Sequence, residues 1–214
     1  MNRIAIVLIA AAIIITGCSR PKIKGDGVFK TEDRAISDYC KIVVTGEYLI
    51  KWSSGKPALH ISTEQNLLPL IKTVISGDTM QIDSEEELVP TKEITIVLSS
   101  TSLVDVRLNG DNSFKASQIS SPDLKLESTG KSKISVGGSV ATLEANLRGA
   151  SKLDAKSLRA QTARLSLTGA SYADVTVTDT LIVSVTGAGF LTYSGNPTSV
   201  EKNITGVGSI VRRP

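Results

Sequence analysis

The sequence predicts an all-β parallel solenoid, and three observations predict it. A seven-residue, glycine-centred motif recurs six times in the C-terminal half, as in Leu147-Arg-Gly-Ala-Ser-Lys-Leu153, Leu167-Thr-Gly-Ala-Ser-Tyr-Ala173 and Val185-Thr-Gly-Ala-Gly-Phe-Leu191. The central glycines, Gly110, Gly130, Gly149, Gly169, Gly187 and Gly206, lie 18 to 20 residues apart, a solenoid period and roughly half that of a β-propeller blade. Between them apolar and polar residues alternate with period two, and no 3.6-residue apolar stripe occurs. A coil of ~19 residues at ~3.3 Å each has a perimeter of ~60 Å, which suits a flattened or three-sided β-helix with coils ~4.8 Å apart. A leucine-rich repeat has a similar period, but here no asparagine ladder follows the strand and Ser, Thr and Val stand where a helical return needs Leu, Ala and Glu.

Composition bounds the function. The 214 residues are 41% hydrophobic and 21% charged, enough to bury a core, and the net charge of +3 excludes a strongly basic nucleic-acid binder. One histidine (His60), two cysteines and one tryptophan (Trp52) leave few ways to build a zinc site, a histidine-based triad or a redox pair, and no cofactor is implied.

In chain order, residues 1–17 read as a signal peptide: a basic start, an apolar run from Ile4 to Ile15 and a small-residue cleavage site. That run is too short to span ~30 Å of hydrocarbon as a helix. Ile15-Thr16-Gly17-Cys18 resembles the bacterial lipobox, which implies that the mature chain starts at Cys18 with acyl chains, such as palmitate, on the sulfur. Ser19 in place of aspartate implies the outer membrane. With Cys18 committed to lipid, Cys40 has no disulfide partner and is expected to be a buried, inert thiol, with Lys41 on the opposite face of its strand. Residues 18–27, polar and rich in Gly, Pro and Lys, are expected to form a flexible tether whose lysines touch anionic headgroups.

Residues 28–211 form one predicted β-solenoid domain. The part from 28 to 100 is less periodic, with strands at Lys41–Thr45, Glu47–Trp52, Ala58–Ser62 and Glu93–Ser99 and a hairpin about Gly77-Asp78. Thr63 opens a segment in which Pro69 limits any helix to a turn or two. This part is expected to cap the upstream end of the solenoid, since a bare first coil would present an unpaired strand edge. The repeats occupy 101–211. Their glycines read as coil corners needing φ > 0 or close backbone approach. The column two residues on, Asn112, Ser132, Ser151, Ser171, Gly189 and Gly208, can hydrogen-bond up the stack. Arg212-Arg213-Pro214 places charge and proline at the last edge.

The segment Glu64-Gln-Asn-Leu-Leu-Pro-Leu-Ile-Lys72, followed by Gly77-Asp-Thr-Met-Gln-Ile82 and the recurrent glycine turns, resembles the putative auto-transporter adhesin, head GIN domain family over roughly residues 28–211. The resemblance implies a right-handed, pectin-lyase-like β-helix without recognised catalytic residues, and a role in adhesion or binding. The family's Gly-Ser-Gly turns are here Gly-Ala-Gly, Gly-Val-Gly, Gly-Ala-Ser or Gly-Lys-Ser.

Stacking makes columns of residues distant in sequence. Three after each glycine stand Lys133, Lys152, Tyr172 and Phe190, cations beside aromatics, the best candidate binding surface: such a stripe can stack on sugar rings or pack against another subunit. Five after it, Asp154 and Asp174 are expected to be neighbours, both facing water, a weak candidate for Ca²⁺ or an acid–base pair. Ser166, Thr168, Ser184, Thr186, Asn203 and Thr205 make a hydroxyl array on a third face, and His60 is expected to face solvent with no triad to join. Three function classes stay open: a non-enzymatic, lipid-anchored envelope protein that binds a glycan or envelope protein, a polysaccharide-active β-helix enzyme, and an oligomerisation module that binds copies of itself.

Overall fold

The computed structural model describes residues 21–213; the expected signal peptide over residues 1–17, the expected lipidation at Cys18 and the first tether residues lie outside the described residues. The strands are β1 (Lys22–Lys24), β2 (Phe29–Arg34), β3 (Lys41–Gly46), β4 (Leu49–Ser54), β5 (Ala58–Glu64), β6 (Ile71–Ser76), β7 (Thr79–Ser84), β8 (Glu87–Val89) and β9 (Thr95–Ser100). They continue as β10 (Asp105–Gly110), β11 (Ser113–Gly130), β12 (Lys133–Gly149), β13 (Lys152–Gly169), β14 (Tyr172–Gly187), β15 (Phe190–Ser194), β16 (Ser199–Gly206) and β17 (Ser209–Arg212). From β10 onward every pairing is parallel, coil on coil, as the repeat predicts.

Why glycine holds the corner is visible in the backbone. The six predicted glycines pair in an unbroken column, and all have φ between +92° and +120°. A Cβ on Gly130, Gly149, Gly169 or Gly206 would stand 2.5–2.6 Å from the carbonyl oxygen of the glycine one coil below. That oxygen accepts the next corner's backbone N–H, for example Ala150 N–H to Gly130 O at 2.8 Å and Ala170 N–H to Gly149 O at 2.8 Å. Inside the bend Asn112, Ser132, Ser151 and Ser171 are buried, and the three serine hydroxyls donate to the corner carbonyls of Gly110, Gly130 and Gly149. A seventh corner extends the column: Gly46 pairs with Gly110, and β3 and β4 form a coil beneath β10 and β11.

The core is the set of inward columns that flank the corner. Leu108, Leu147, Leu167 and Val185 stand two before the glycine, and Phe114, Ile134, Leu153, Ala173 and Leu191 four after it, all buried. Ser128 takes one inward place, and its hydroxyl is satisfied by that of Ser151 at 2.8 Å. Trp52 is buried with its indole N–H donating to Ser100 Oγ at 2.9 Å.

Upstream, the less regular part continues the solenoid and also closes it. β7 and β9 add parallel strands to β3 and β4, and antiparallel β6, β5 and β2 then end the stack. Pro69 confines the helical segment to a 3₁₀ turn at Leu68–Leu70; it is entered from Leu67 without a side-chain cap, so Thr63 does not play that part. Its hydroxyl donates to Glu64 instead.

The tether departs from expectation. From Pro21 on it is docked on the body: β1 pairs in parallel with β8, Gly25 N–H donates to Val89 O at 3.0 Å, and Asn66 bridges Asp26 N–H and Lys24 O. Buried Glu64 backs this strap and accepts from the N–H of Thr91 at 2.8 Å and from its hydroxyl. Lys22 pairs with Glu87 at 2.6 Å. Composition read this segment as solvated because its partners lie 40 to 65 residues downstream.

At the other end β16 pairs, among the described residues, on one side only, with β14, and is exposed along its whole length. Its inward positions are Val200, Lys202 and Ile204, in register with Leu181, Val183 and Val185. A lysine in a core column disfavours a further coil; its ammonium lies 5.2 Å over the Tyr193 ring.

Candidate functional site

Each corner is followed by the start of the next strand, and the shared register aligns these strand starts on one face. The column three after the glycine runs Ser113, Lys133, Lys152, Tyr172, Phe190, Ser209, with every neighbour paired. Lys133 and Lys152 are exposed, Phe190 is 39% exposed, and Tyr172 is half-buried. The two rings stack with centroids 5.6 Å apart and planes 9° apart, and the Lys152 ammonium lies 5.3 Å over Tyr172. Both faces of Tyr172 are therefore occupied, by Phe190 and by Lys152, so the sugar-stacking platform expected from sequence is reduced to the outer face of Phe190. The stripe otherwise presents ring edges, which carry the positive end of the quadrupole.

The column five after the glycine runs Lys51, Lys115, Ser135, Asp154, Asp174, Thr192. Asp154 and Asp174 are direct register partners. Their environments differ, against the expectation that water screens both. Asp154 is partly exposed and pairs with Lys156 at 3.3 Å. The Asp174 side chain is only 4% exposed, and the guanidinium of Arg213, the residue that follows β17, binds its Oδ2. This hydrogen bond raises the Arg213 pKa. Asp174 Oδ1 has no hydrogen-bond partner among the described residues. Among the described residues no group of three or more His, Cys, Asp or Glu side chains is placed to hold a metal ion.

Between the two columns a shallow groove of about 390 Å³ is lined by Ser113, Lys115, Lys133, Ser135, Lys152 and Asp154 over Phe114 and Ile134. A larger cleft of about 630 Å³, which sequence reasoning missed, lies where the β1–β8 strap meets the first corner. Glu47, Tyr48, Glu86, Leu88, Pro90 and Ile94 line it, and among the described residues Glu86 Oε2 has no hydrogen-bond partner. Burial pushes the Tyr48 phenol up to about 12, with Asp83 adding to the shift. The cleft depends on long-range docking of the strap, and its only local signal is the Val44-Thr45-Gly46 corner.

The remaining candidates are separated from this face. Cys40 is half-buried rather than buried; its thiol lies 3.6 Å from Asp78, and burial followed by the Asp78 charge raises its pKa. Lys41 also reaches Asp78, at 3.0 Å, so it shares a partner with Cys40. His60 is exposed as expected, but pairs across the sheet with Asp33, whose carboxylate meets its Nδ1. The hydroxyl array is in register, Ser166 with Ser184 and Asn203, and Thr168 with Thr186 and Thr205.

The family model for the putative auto-transporter adhesin, head GIN domain matches residues 38–197. Among solved structures, a putative adhesin from Bacteroides fragilis aligns with a TM-score of 0.73 at 18% identity, over 89% of this chain and 100% of that one. A putative lipid binding protein from Parabacteroides distasonis aligns at 0.55 and 20% identity, covering 90% and 100%. A putative adhesin from Parabacteroides merdae gives 0.54 and 17%, covering 91% and 100%. No curated protein matches the chain with significant similarity. At these identities the structural likeness establishes the shared fold.

Proposed function

Because the chain belongs to the putative auto-transporter adhesin, head GIN domain family, we propose that it is a non-enzymatic envelope protein, anchored by lipid on Cys18, whose post-corner face binds a partner in adhesion or scaffolding. The observation that carries the reading is the column of Lys133, Lys152, Tyr172 and Phe190, in which side chains from four successive coils project together from a rigid sheet. A solenoid corner fixes each strand start, so such a column is preorganised and loses little freedom on binding. Two residues, Ser19 and Arg20, lie between Cys18 and docked Pro21, three peptide steps or ~10 Å, so lipid on Cys18 would hold the body close to a membrane.

Two experiments test it. Metabolic labelling with a fatty-acid analogue should mark the wild-type chain and not Cys18→Ser; persistent label would end the lipoprotein reading. Capture from solubilised envelope should be lost in the double variant Tyr172→Ala, Phe190→Ala while its melting temperature stays near wild type, since both rings lie at the surface. Polysaccharide cleavage that disappears in Asp154→Asn, Asp174→Asn would replace this reading with the enzyme.

A further inference from the structure

Charge on the solenoid is arranged in two contrasting ways. Before the corner, the outward columns alternate in sign from coil to coil: Asp105 beside Lys125 beside Glu144, and Arg107 beside Glu127. They neutralise one another through ion pairs of 2.9 Å from Arg107 to Asp105 and 2.8 Å from Lys125 to Glu127. After the corner, like charges are direct register partners, Lys51 with Lys115 and Lys133 with Lys152. Directly opposed like charges destabilise a sheet, yet none of these four lysines forms an ion pair among the described residues, and all four are exposed. The nearby acids are spoken for, Asp154 by Lys156 and Asp174 by Arg213.

We propose that this face binds an acidic polysaccharide, whose carboxylate or sulfate groups lie against Lys51, Lys115, Lys133 and Lys152; this rests on the reading that the post-corner face is the contact surface. A polyanion supplies what the fold withholds, relief of two like-charge pairs. The geometry selects an extended sugar chain among polyanions. Within each pair the lysines are one coil, ~4.8 Å, apart, comparable with the advance of one sugar residue; the two pairs occupy neighbouring columns two residues apart in register, beside a groove of about 390 Å³ lined by Ser113, Lys115, Lys133, Ser135, Lys152 and the Lys156-paired Asp154. Hydroxyls of Ser113 and Ser135 line the same groove, and Phe190, 39% exposed, stands further up the Lys133–Lys152 column as apolar surface for a sugar ring. Single-stranded nucleic acid needs open aromatic faces for base stacking, and both faces of Tyr172 are occupied. A membrane surface needs more inserted apolar area than Phe190 alone offers.

The test titrates the full chain with oligogalacturonate and with its neutral methyl ester. The acid form should bind and weaken with salt, and the ester should bind far more weakly. Lys133→Ala with Lys152→Ala should reduce affinity roughly tenfold or more, while Lys24→Ala with Lys30→Ala, on the strap side, should leave it unchanged. Equal affinity for the ester, lost in Tyr172→Ala with Phe190→Ala, would overturn the acidic ligand and keep the binding face. Binding that ignores both the lysine pair and the aromatic pair would overturn both. Retention on phosphatidylglycerol vesicles that needs Lys133 and Lys152, without oligogalacturonate binding, would replace the polysaccharide with a lipid surface.

Discussion

Replacing Gly169 by alanine probes the corner from which every other feature follows. Its φ of +92° lies beyond the left-handed basin that alanine tolerates, so the backbone cost is ~1–3 kcal/mol. The new Cβ would also stand 2.6 Å from Gly149 O, which now accepts the Ala170 N–H at 2.8 Å. Forcing that pair apart forfeits about 1 kcal/mol more, for a total of ~2–4 kcal/mol. Two comparisons isolate the cause. Gly77 has φ of +62° and open space around its Cα, so Gly77→Ala should cost only about 1 kcal/mol. Ser166→Ala, on a half-exposed outward position, should stay within ~0.5 kcal/mol. With a urea m-value of about 2–3 kcal/mol/M, the Gly169→Ala midpoint should fall by about 1 M. Equal midpoints for Gly169→Ala and Gly77→Ala would refute the claim that carbonyl contact between coils makes these glycines obligatory.

The same bookkeeping of local contacts predicts two further responses. Burial opposes ionisation of Glu64, but hydrogen bonds from Thr91 outweigh it and hold the carboxyl below its ordinary value, as Lys41 does for Asp78 and Lys125 for Glu127. Groups with lowered folded pKa values bind fewer protons folded than unfolded, so their contribution is present above the ordinary carboxylate range, ~4, and is lost as pH falls through the lowered values. The melting temperature should therefore fall between neutrality and pH ~3, and Glu64→Gln should release the strap, read as faster amide exchange at Gly25 at neutral pH; a flat acid profile would contradict this. Arg213→Ala should lower the melting temperature more than Arg212→Ala, because it strands the buried Asp174 carboxylate, and Asp174→Asn should restore part of the loss; equal effects of the two arginine variants would mean that the tail does not cover Asp174.

The parts of the fold that were legible in the sequence are those that repeat. Six corners, the inward columns and the alignment of Lys133, Lys152, Tyr172 and Phe190 follow from spacing alone, because a solenoid converts a period into a spatial neighbour. Gly46 escaped because the chain from Gly55 to Val104 intervenes before the next coil, although Val44-Thr45-Gly46 repeats Val185-Thr186-Gly187. The docked strap was hidden for a different reason: its order depends on Glu64, Asn66 and β8, contacts that composition does not encode. Alternation placed Asp174 outward, but its carboxylate is buried and bound by Arg213, 39 residues downstream. Ring orientation was equally beyond a periodic argument, since stacking between coils, not position in the strand, decides which aromatic faces stay open.

If the post-corner face is the contact surface, an amide hydrogen-exchange footprint of the full chain, taken with and without total cell-envelope polysaccharide, should register the partner there. The prediction is protection confined to the strand starts at Ser113, Lys133, Lys152, Tyr172 and Phe190, with the strap and the Glu47–Glu86 cleft unchanged. Protection centred on that cleft or on the Ser166–Thr205 hydroxyl face, with the strand starts unprotected, would contradict it.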